Sequence, residues 1–308
     1  MRRILTLLAL LGLAGRAGAA GPMTGEVKID GSSTVYLITE VMATHFKNLH
    51  PDVNLTIGVS GTGGGFKKFA AGETDINDAS RPIRPAEAQQ CKAHGIDYLE
   101  LQVGWDGIAV VIHPQNDWAR TLTLEQLRKI WHPNTESFKN ARSWSDVEPG
   151  WPREEIRLYG PGPDSGTFDF FTEAVNGKEK LIRTDYTASE DDNNLVQGIA
   201  RNKYALGFFG VAYYEANKKS LSAVALAASP GEAYALPEAR NVLARRYPLS
   251  RPLYLYVRTA ALDRPAVREF VGFYLRRSDL VREARYIPMT ALQQRKEQLK
   301  LERALGGQ

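Results

Sequence analysis

Apolar runs of strand length alternate with amphipathic runs of helical spacing along almost the whole chain, and this alternation restricts the possible folds more than any other feature. The pattern is typical of an α/β protein with largely parallel sheets. Strands are predicted at residues 27–29, 53–59, 98–103, 108–113, 156–159, 205–209, 223–227 and 253–257. Helices are expected between them, with clear examples at 35–49, after Thr123 and at 265–276.

The first twenty residues have the pattern of a secretory signal peptide. Two arginines follow Met1, an apolar run covers residues 4–13, and Ala17-Gly18-Ala19 forms a small-residue cleavage site. An apolar run of about ten residues is too short for a bilayer span, which needs about twenty. We therefore expect residues 1–20 to be removed and the mature chain to be periplasmic or otherwise extracytoplasmic. No cysteine lies near the cleavage site, so no lipid anchor is expected.

The length of the mature chain predicts two domains. About 288 of the 308 residues would remain, which exceeds the size at which a single core usually stops growing. Long extended runs at 101–113 and 247–258 are candidates for two crossings between lobes. We predict lobe I from residues 21–105 and 248–308 and lobe II from residues 106–247, each a mostly parallel sheet flanked by helices.

Charge and cysteine content exclude some functions. The formal charge is +4, and the loss of three arginines with the signal peptide leaves about +1, which does not favour nucleic-acid binding. The single cysteine, Cys91, lies in a helical segment and is expected to be a buried structural thiol.

Three predicted strands lead through short loops rich in Gly, Ser and Thr directly into helices. We call these the first loop (residues 30–34), the second loop (60–65) and the third loop (160–167). A helix N-terminus has unpaired N–H donors and a partial positive charge, so it can bind an anion without a full cation. Glycines allow the backbone to approach the ligand, and hydroxyls add neutral donors. Three such termini could converge on one tetrahedral group.

Each loop also has a purely structural interpretation. Ser33, Thr34 or Thr62 could cap its own helix, which is what these residue types mostly do at helix starts. Glycines 63–65 could form a plain tight turn, and residues 164–167 an ordinary connection. The recurrence of the pattern in three places favours an anion site over three coincidences.

Motifs for other chemistry do not fit. The glycine run of the second loop lacks the Lys-Ser/Thr pair of a P-loop, so nucleotide binding is disfavoured. Ser60 and Ser165 do not lie in a G-x-S-x-G elbow, and the five histidines show no arrangement that suggests a catalytic base. Metal-ligand spacing is also lacking. We expect no cofactor and no enzymatic activity.

A fourth polar segment covers residues 75–83. Arg81 could supply a fixed charge and a planar fork for two ligand oxygens, with the hydroxyl of Ser80 beside it. Alternatively, Arg81 is an ordinary surface arginine before a proline.

Taken together and in this order, segments 30–37, 58–68, 75–83 and 161–168 resemble those of the ABC-transporter phosphate-binding protein family. The resemblance covers nearly the whole chain. It implies a type II periplasmic binding fold, with phosphate held between two lobes and delivered to an inner-membrane permease, and a monomeric protein. It places the following residues on the anion: Ser33, Thr34, Ser60, Thr62, Gly63, Ser165, Gly166 and Thr167.

The chain departs from the family pattern at two positions. Some members have an aspartate where this chain has Ser80, and an arginine four residues before the third-loop serine where this chain has Pro161. We infer that Arg81 takes over the arginine role. A nearby carboxylate would accept the proton that phosphate still carries near neutral pH and would repel sulfate. Asp164 and Asp78 are the nearest candidates in sequence.

The sequence therefore predicts a phosphate-binding protein of an ABC importer. Alternatives are the same fold with another tetrahedral oxyanion (sulfate, molybdate or tungstate), a secreted phosphate-ester hydrolase using Ser165 or Ser60, and a binding module that signals to a partner.

Overall fold

The computed structural model describes residues 22–163, 165–189 and 191–306. Its strands are β1 (Gly25–Gly31), β2 (Val53–Ile57), β3 (Ile76–Ala79), β4 (Tyr98–Ile112), β5 (Thr121–Thr123), β6 (Arg157–Gly160), β7 (Thr187–Ala188), β8 (Ala205–Gly210), β9 (Ser222–Ala223), β10 (Ala225–Ala227) and β11 (Ser250–Arg258). Its helices are α1 (Ser33–Leu49), α2 (Gly61–Ala70), α3 (Pro85–Ala93), α4 (Leu124–Trp131), α5 (Trp144–Val147), α6 (Gly166–Asn176), α7 (Asp192–Ala200), α8 (Val211–Asn217), α9 (Ala239–Leu243), α10 (Pro265–Arg276), α11 (Ser278–Glu283) and α12 (Ala291–Gly306). The predicted signal peptide lies outside the described residues.

Nine of the described strands form one continuous sheet in the order β2-β1-β3-β11-β4-β8-β6-β7, with β9 beside β4, and β5 and β10 form a separate two-stranded sheet. The ladders β1-β2, β1-β3, β6-β8 and β6-β7 are parallel. Every ladder made by β4 or β11 is antiparallel. The predicted two-lobed α/β fold is confirmed, and the sheet of each lobe is parallel except where the crossing strands enter it.

Two long strands connect the lobes. β4 pairs with β11 from Tyr98 to Gly107 and then with β8 from Ile108 to Ile112, so one strand belongs to both halves of the sheet. The sequence predicts two strands in this region, but the chain continues through Gly104 and Gly107 without a break. The lobe boundaries given above stay a prediction.

Helix starts follow the local sequence. Ser32 caps α1, whose residues Ile38, Met42 and Phe46 are fully buried at intervals of four. Thr123 and Gln126 form a capping box at the start of α4. No helix within the described ranges is both long and apolar enough to cross a membrane.

Each lobe has its own core. In the first lobe, side chains from β1, β11, α1 and α10 pack together, among them Val27, Leu255 and Phe270. In the second lobe, a larger cluster on one face of the sheet includes Trp131 and Phe208, and a smaller cluster covers the other face. Cys91 is buried, as predicted, in an aromatic cluster behind α2.

Candidate functional site

Residues from both lobes line a cavity of about 550 Å³, which we call the cleft cavity. The loops that follow β1, β2 and β3 form its first-lobe wall, because the carboxyl ends of parallel strands meet at one edge of a sheet. Residues of α6 and the turn after it form the opposite wall. The lining residues are Ser32, Ser33, Thr34, Ser60, Gly61, Thr62, Gly63, Gly64, Ser80, Arg81, Arg84, Asp169, Glu173, Gly177, Lys178, Glu179, Lys180 and Arg251.

In the first loop, the capping role falls on Ser32 and not on the two residues predicted to bind. Ser32 Oγ accepts a hydrogen bond from the backbone N–H of Val35 at 3.5 Å. Ser33 and Thr34 are the first two residues of α1 and line the cavity. Their hydroxyls are therefore not used for capping.

In the second loop, the Ser60 hydroxyl donates to Asp30 Oδ1, and Lys68 Nζ lies 2.6 Å from Asp30 Oδ2. Burial acts to raise the pKa of Asp30, but the hydrogen bonds from Lys68 and Ser60 outweigh it and keep the pKa below its usual value. Because the Ser60 proton points to Asp30, this hydroxyl holds the start of α2 in place.

Thr62 and Ser80 lie together across the second loop and the fourth polar segment. The Ser80 backbone N–H donates to Thr62 Oγ1 at 3.2 Å, and the two hydroxyl oxygens are also 3.2 Å apart. Gly63 faces the cavity, whereas Gly65 packs against Gly31 and Asn77.

Arg81 lines the cavity, but a neighbouring carboxylate occupies its fork. Nη1 and Nη2 donate to the two oxygens of Glu87 at 2.9 and 2.7 Å, and Nη1 also donates to the Pro82 carbonyl at 3.1 Å. The same Glu87 accepts from the Arg84 backbone N–H at the start of α3. Much of the Arg81 donor capacity is therefore used within its own segment.

The third loop faces a neighbouring cavity of about 430 Å³ that shares Ser33 with the cleft cavity. Ser165 caps α6 by accepting from the Thr167 backbone N–H at 3.2 Å. Ser165, Gly166 and Thr167 all line this second cavity. The predicted residues of this loop therefore line the neighbouring cavity and not the cleft cavity, and Ser33 is common to the two. Asp164 lies outside the described residues.

Arg251 was not predicted, and its side chain contacts residues of both lobes. It lies on β11 directly opposite Asp106 on β4, and only 11% of its side chain is exposed. Nε donates to Asp106 at 3.3 Å, while Nη2 donates to Thr34 Oγ1 at 2.8 Å and to the Gly166 carbonyl at 3.2 Å. The only sequence signal was an arginine at the start of an apolar strand.

The carboxylates of the cavity also differ from those considered in the sequence. Asp78 points away from it and accepts from the Thr39 hydroxyl at 2.8 Å in the first-lobe interior. Burial raises the pKa of Asp78 to about 8. Asp169, Glu173 and Glu179 line the cavity instead. Burial raises the pKa of Asp169 and of Glu179, so these groups hold protons more readily than free carboxyls.

Comparison with known proteins gives consistent results. Residues 17–278 match a family model described as a PBP superfamily domain. Protein SphX from Synechocystis is 46% identical over 266 residues, which is 85% of this chain and 78% of that protein. Phosphate-binding protein PstS from Staphylococcus saprophyticus is 37% identical over 288 residues, covering 93% of this chain and 87% of that protein.

A solved structure agrees with the fold and with the sequence relationship. The crystal structure of a possible phosphate binding protein from Planctomyces limnophilus superposes with a TM-score of 0.87 at 45% identity. The match covers 92% of this chain and 99% of that one.

Proposed function

The chain belongs to the PstS-like family of phosphate-binding proteins in the PBP superfamily, and on that basis we propose that it binds inorganic phosphate in the cleft cavity. The observation that carries the proposal is the convergence of the α1 and α2 N-termini with the two least exposed cavity arginines, Arg81 and Arg251, on one cavity. The start of α6 joins this arrangement through Ser33. Helix N-termini and guanidinium groups both stabilise a tetrahedral anion.

The predicted ligand set divides into two groups in this proposal. Direct ligands are Ser33, Thr62, Gly63, Ser80 and Arg81 on the first-lobe side, with the start of α6 opposite. Thr34 and Ser60 act through the backbone of the helix starts, since Thr34 Oγ1 already accepts from Arg251 and the Ser60 hydroxyl proton is already donated to Asp30. The helix N–H groups beside them are the donors that the anion needs.

Carboxylates on the second-lobe wall favour phosphate over sulfate. Asp169 Oδ1 is buried and has no hydrogen-bond partner among the described residues. Near neutral pH inorganic phosphate still carries at least one proton, which such an oxygen can accept as a hydrogen bond, whereas sulfate has no proton to offer. Molybdate and tungstate are the remaining alternatives.

We also propose a biological setting, which rests on the N-terminal sequence and on the family. We place the mature protein outside the cytoplasm after removal of residues 1–20, as a monomer without a lipid anchor. There it would deliver phosphate to an inner-membrane ABC permease. The relative from Staphylococcus saprophyticus is named a phosphate-binding protein, and the hydroxyls of Ser60 and Ser165 already have structural partners.

Calorimetric titration tests the proposal. The purified protein, freed of bound ligand by unfolding and refolding, is titrated at neutral pH with phosphate, sulfate and molybdate in turn. We expect one-to-one binding that is tightest for phosphate. Tighter binding of sulfate or molybdate would reassign the ligand, and binding of none of the three would refute the function.

A further inference from the structure

Three arginines line the cleft cavity, and they differ in how much of their charge is available. Arg84 is 61% exposed at the side chain, Arg81 is 20% exposed and Arg251 is 11% exposed. An exposed arginine is screened by water and contributes little, whereas a buried one acts through a lower dielectric. The choice of the main ligand cation therefore lies between Arg81 and Arg251.

The donors of Arg81 are turned toward its own segment. The two oxygens of Glu87 accept hydrogen bonds from Nη1 and Nη2 of Arg81, and Nη1 also donates to the Pro82 carbonyl. A carboxylate in this bidentate position cancels the charge of the guanidinium at short range. Arg81 and Glu87 together brace the start of α3.

The donors of Arg251 are distributed differently. Asp106 takes one long bond from Nε, and Thr34 and Gly166 share Nη2. No described residue accepts a hydrogen bond from Nη1, which leaves two N–H groups on a residue that lines the cavity. Glu179 lies within the electrostatic reach of both arginines, so that contact does not distinguish them.

The position of Arg251 also ties the two lobes together. Thr34 belongs to the first turn of α1 in one lobe, and Gly166 begins α6 in the other. The guanidinium lies over the Phe170 ring of α6, with Cζ 4.1 Å from the ring centroid, which fixes its plane. If the lobes moved apart, Nη2 could keep only one of its two acceptors.

We propose that Arg251, and not Arg81, supplies the main fixed charge for the anion, and that the same guanidinium couples anion binding to closure of the lobes. The inference rests on the proposed phosphate-binding function. An anion at Nη1 adds a charge-assisted hydrogen bond to a group that is already positioned by both lobes, so it stabilises the arrangement in which they touch. The planar five-donor group is needed, because Asp106, Thr34, Gly166 and the anion together require four N–H donors, whereas an ammonium has three.

Matched single substitutions of the three cavity arginines test the role proposed for Arg251. Phosphate titrations compare the parent protein with Arg251→Gln, Arg81→Gln and Arg84→Gln, each of which replaces one cavity arginine by a neutral residue. We expect Arg251→Gln to weaken binding about a hundredfold or more, Arg81→Gln about tenfold or less, and Arg84→Gln within about threefold. Small-angle scattering should show compaction on phosphate addition in the parent and in Arg84→Gln, but little in Arg251→Gln.

A further variant covers the case in which Arg251→Gln does not fold. Arg251→Lys keeps a cation beside Asp106 but has one donor too few for Asp106, Thr34, Gly166 and the anion together. We expect it to fold, bind phosphate at least about tenfold more weakly and compact less. Equal or larger loss in Arg81→Gln, or unchanged affinity and compaction in the Arg251 variants, would overturn the inference. Failure of the parent to bind phosphate would instead refute the proposed function itself.

Discussion

Gly166, the first residue of α6, lies directly against Thr34, the second residue of α1. A Cβ atom built on Gly166 would overlap the Thr34 hydroxyl and would stand 2.9 Å from both the Cα and the backbone nitrogen of Thr34. Backbone atoms cannot move aside as a flexible side chain can. The two helix starts, one from each lobe, can therefore meet only because residue 166 has no side chain.

Gly166→Ala should prevent full closure of the lobes. The methyl group would force the starts of α1 and α6 apart, and Arg251 would lose one of its two lobe contacts. We expect phosphate affinity, measured by calorimetry, to fall at least about tenfold, which corresponds to about 1.4 kcal/mol. Gly210→Ala is the control, since a Cβ at Gly210 meets nothing within 4 Å. Unchanged affinity in Gly166→Ala would mean that the contact does not form in the bound state.

Glycines 63 and 65 of the second loop should respond differently to the same substitution. At Gly65 a Cβ would overlap the Asn77 side chain and lie 2.6 Å from Gly31 Cα, so we expect Gly65→Ala to lower the free energy of unfolding by about 1–3 kcal/mol. At Gly63 the nearest atom is Arg81 Nη2 at 3.6 Å. Gly63→Ala should therefore leave stability unchanged while the added methyl group weakens phosphate binding.

Denaturant unfolding and calorimetry on both variants separate these effects. A loss of stability in Gly63→Ala equal to that in Gly65→Ala would contradict the assignment of Gly63 to the cavity surface and Gly65 to the packed interior.

Asp78 should make the protein less stable as the pH rises. Burial raises its pKa to about 8 in the folded state, whereas the pKa of an unfolded aspartate is about 3.9. The folded state therefore holds the proton more tightly, and stability falls from about pH 4 until it levels off above about pH 8. In Asp78→Asn this pH dependence is absent. As the pH rises from 5 to 8, the free energy of unfolding of the variant relative to the parent should therefore increase by a few kcal/mol.

Asp75 serves as a control whose pKa is shifted in the opposite direction. The free energy of unfolding of both variants is measured by urea titration over the same pH range. Burial acts to raise the pKa of Asp75. The hydrogen bond and charge of Arg264, the backbone N–H of Lys28 and the charge of Arg258 together outweigh burial, so the pKa of Asp75 is lowered. Ionised Asp75 therefore contributes to the free energy of unfolding at pH values above its unfolded-state pKa. This contribution is lost as the pH falls through the lower pKa of the folded state. Asp75→Asn should therefore cost stability at neutral pH. Equal pH profiles for the two variants would refute the assignment for Asp78.

The protein should not hydrolyse phosphate esters. Ser165 Oγ accepts a hydrogen bond at the start of α6, so Ser165→Ala should cost about 1 kcal/mol of stability through loss of the cap. A chromogenic phosphomonoester assay should give background rates for the parent and the variant alike. Turnover by the parent that disappears in Ser165→Ala would favour the hydrolase alternative.

Features that depend on local sequence could be predicted well. The helix around Ile38 and Met42 follows from their spacing, and the cap at Thr123 from the residue three positions later. The first two loops also meet as expected, because parallel strands bring their carboxyl ends to one edge. Choosing Ser32 as the cap of α1 was beyond sequence reasoning, since three consecutive hydroxyl residues compete for that role.

Features that depend on long-range contact could not be predicted. Arg251 is 217 positions from Thr34, and nothing near it in sequence marks it as part of the cavity. The same holds for Asp169 and Glu179, whose carboxyls join the site only because α6 faces α2 across the cleft. Asp78 lies within the fourth polar segment, yet its side chain points inward, because neighbouring residues of a strand face opposite sides.

The strand order has a consequence for the timing of folding. β11 lies between β3 and β4, so the first-lobe sheet lacks its central strand until the chain has been synthesised as far as Arg258. By contrast, the second-lobe strands from β4 to β8 end at Gly210. We therefore expect the middle of the chain to reach native structure first, and the N-terminal strands, although synthesised earlier, to wait for a late central partner.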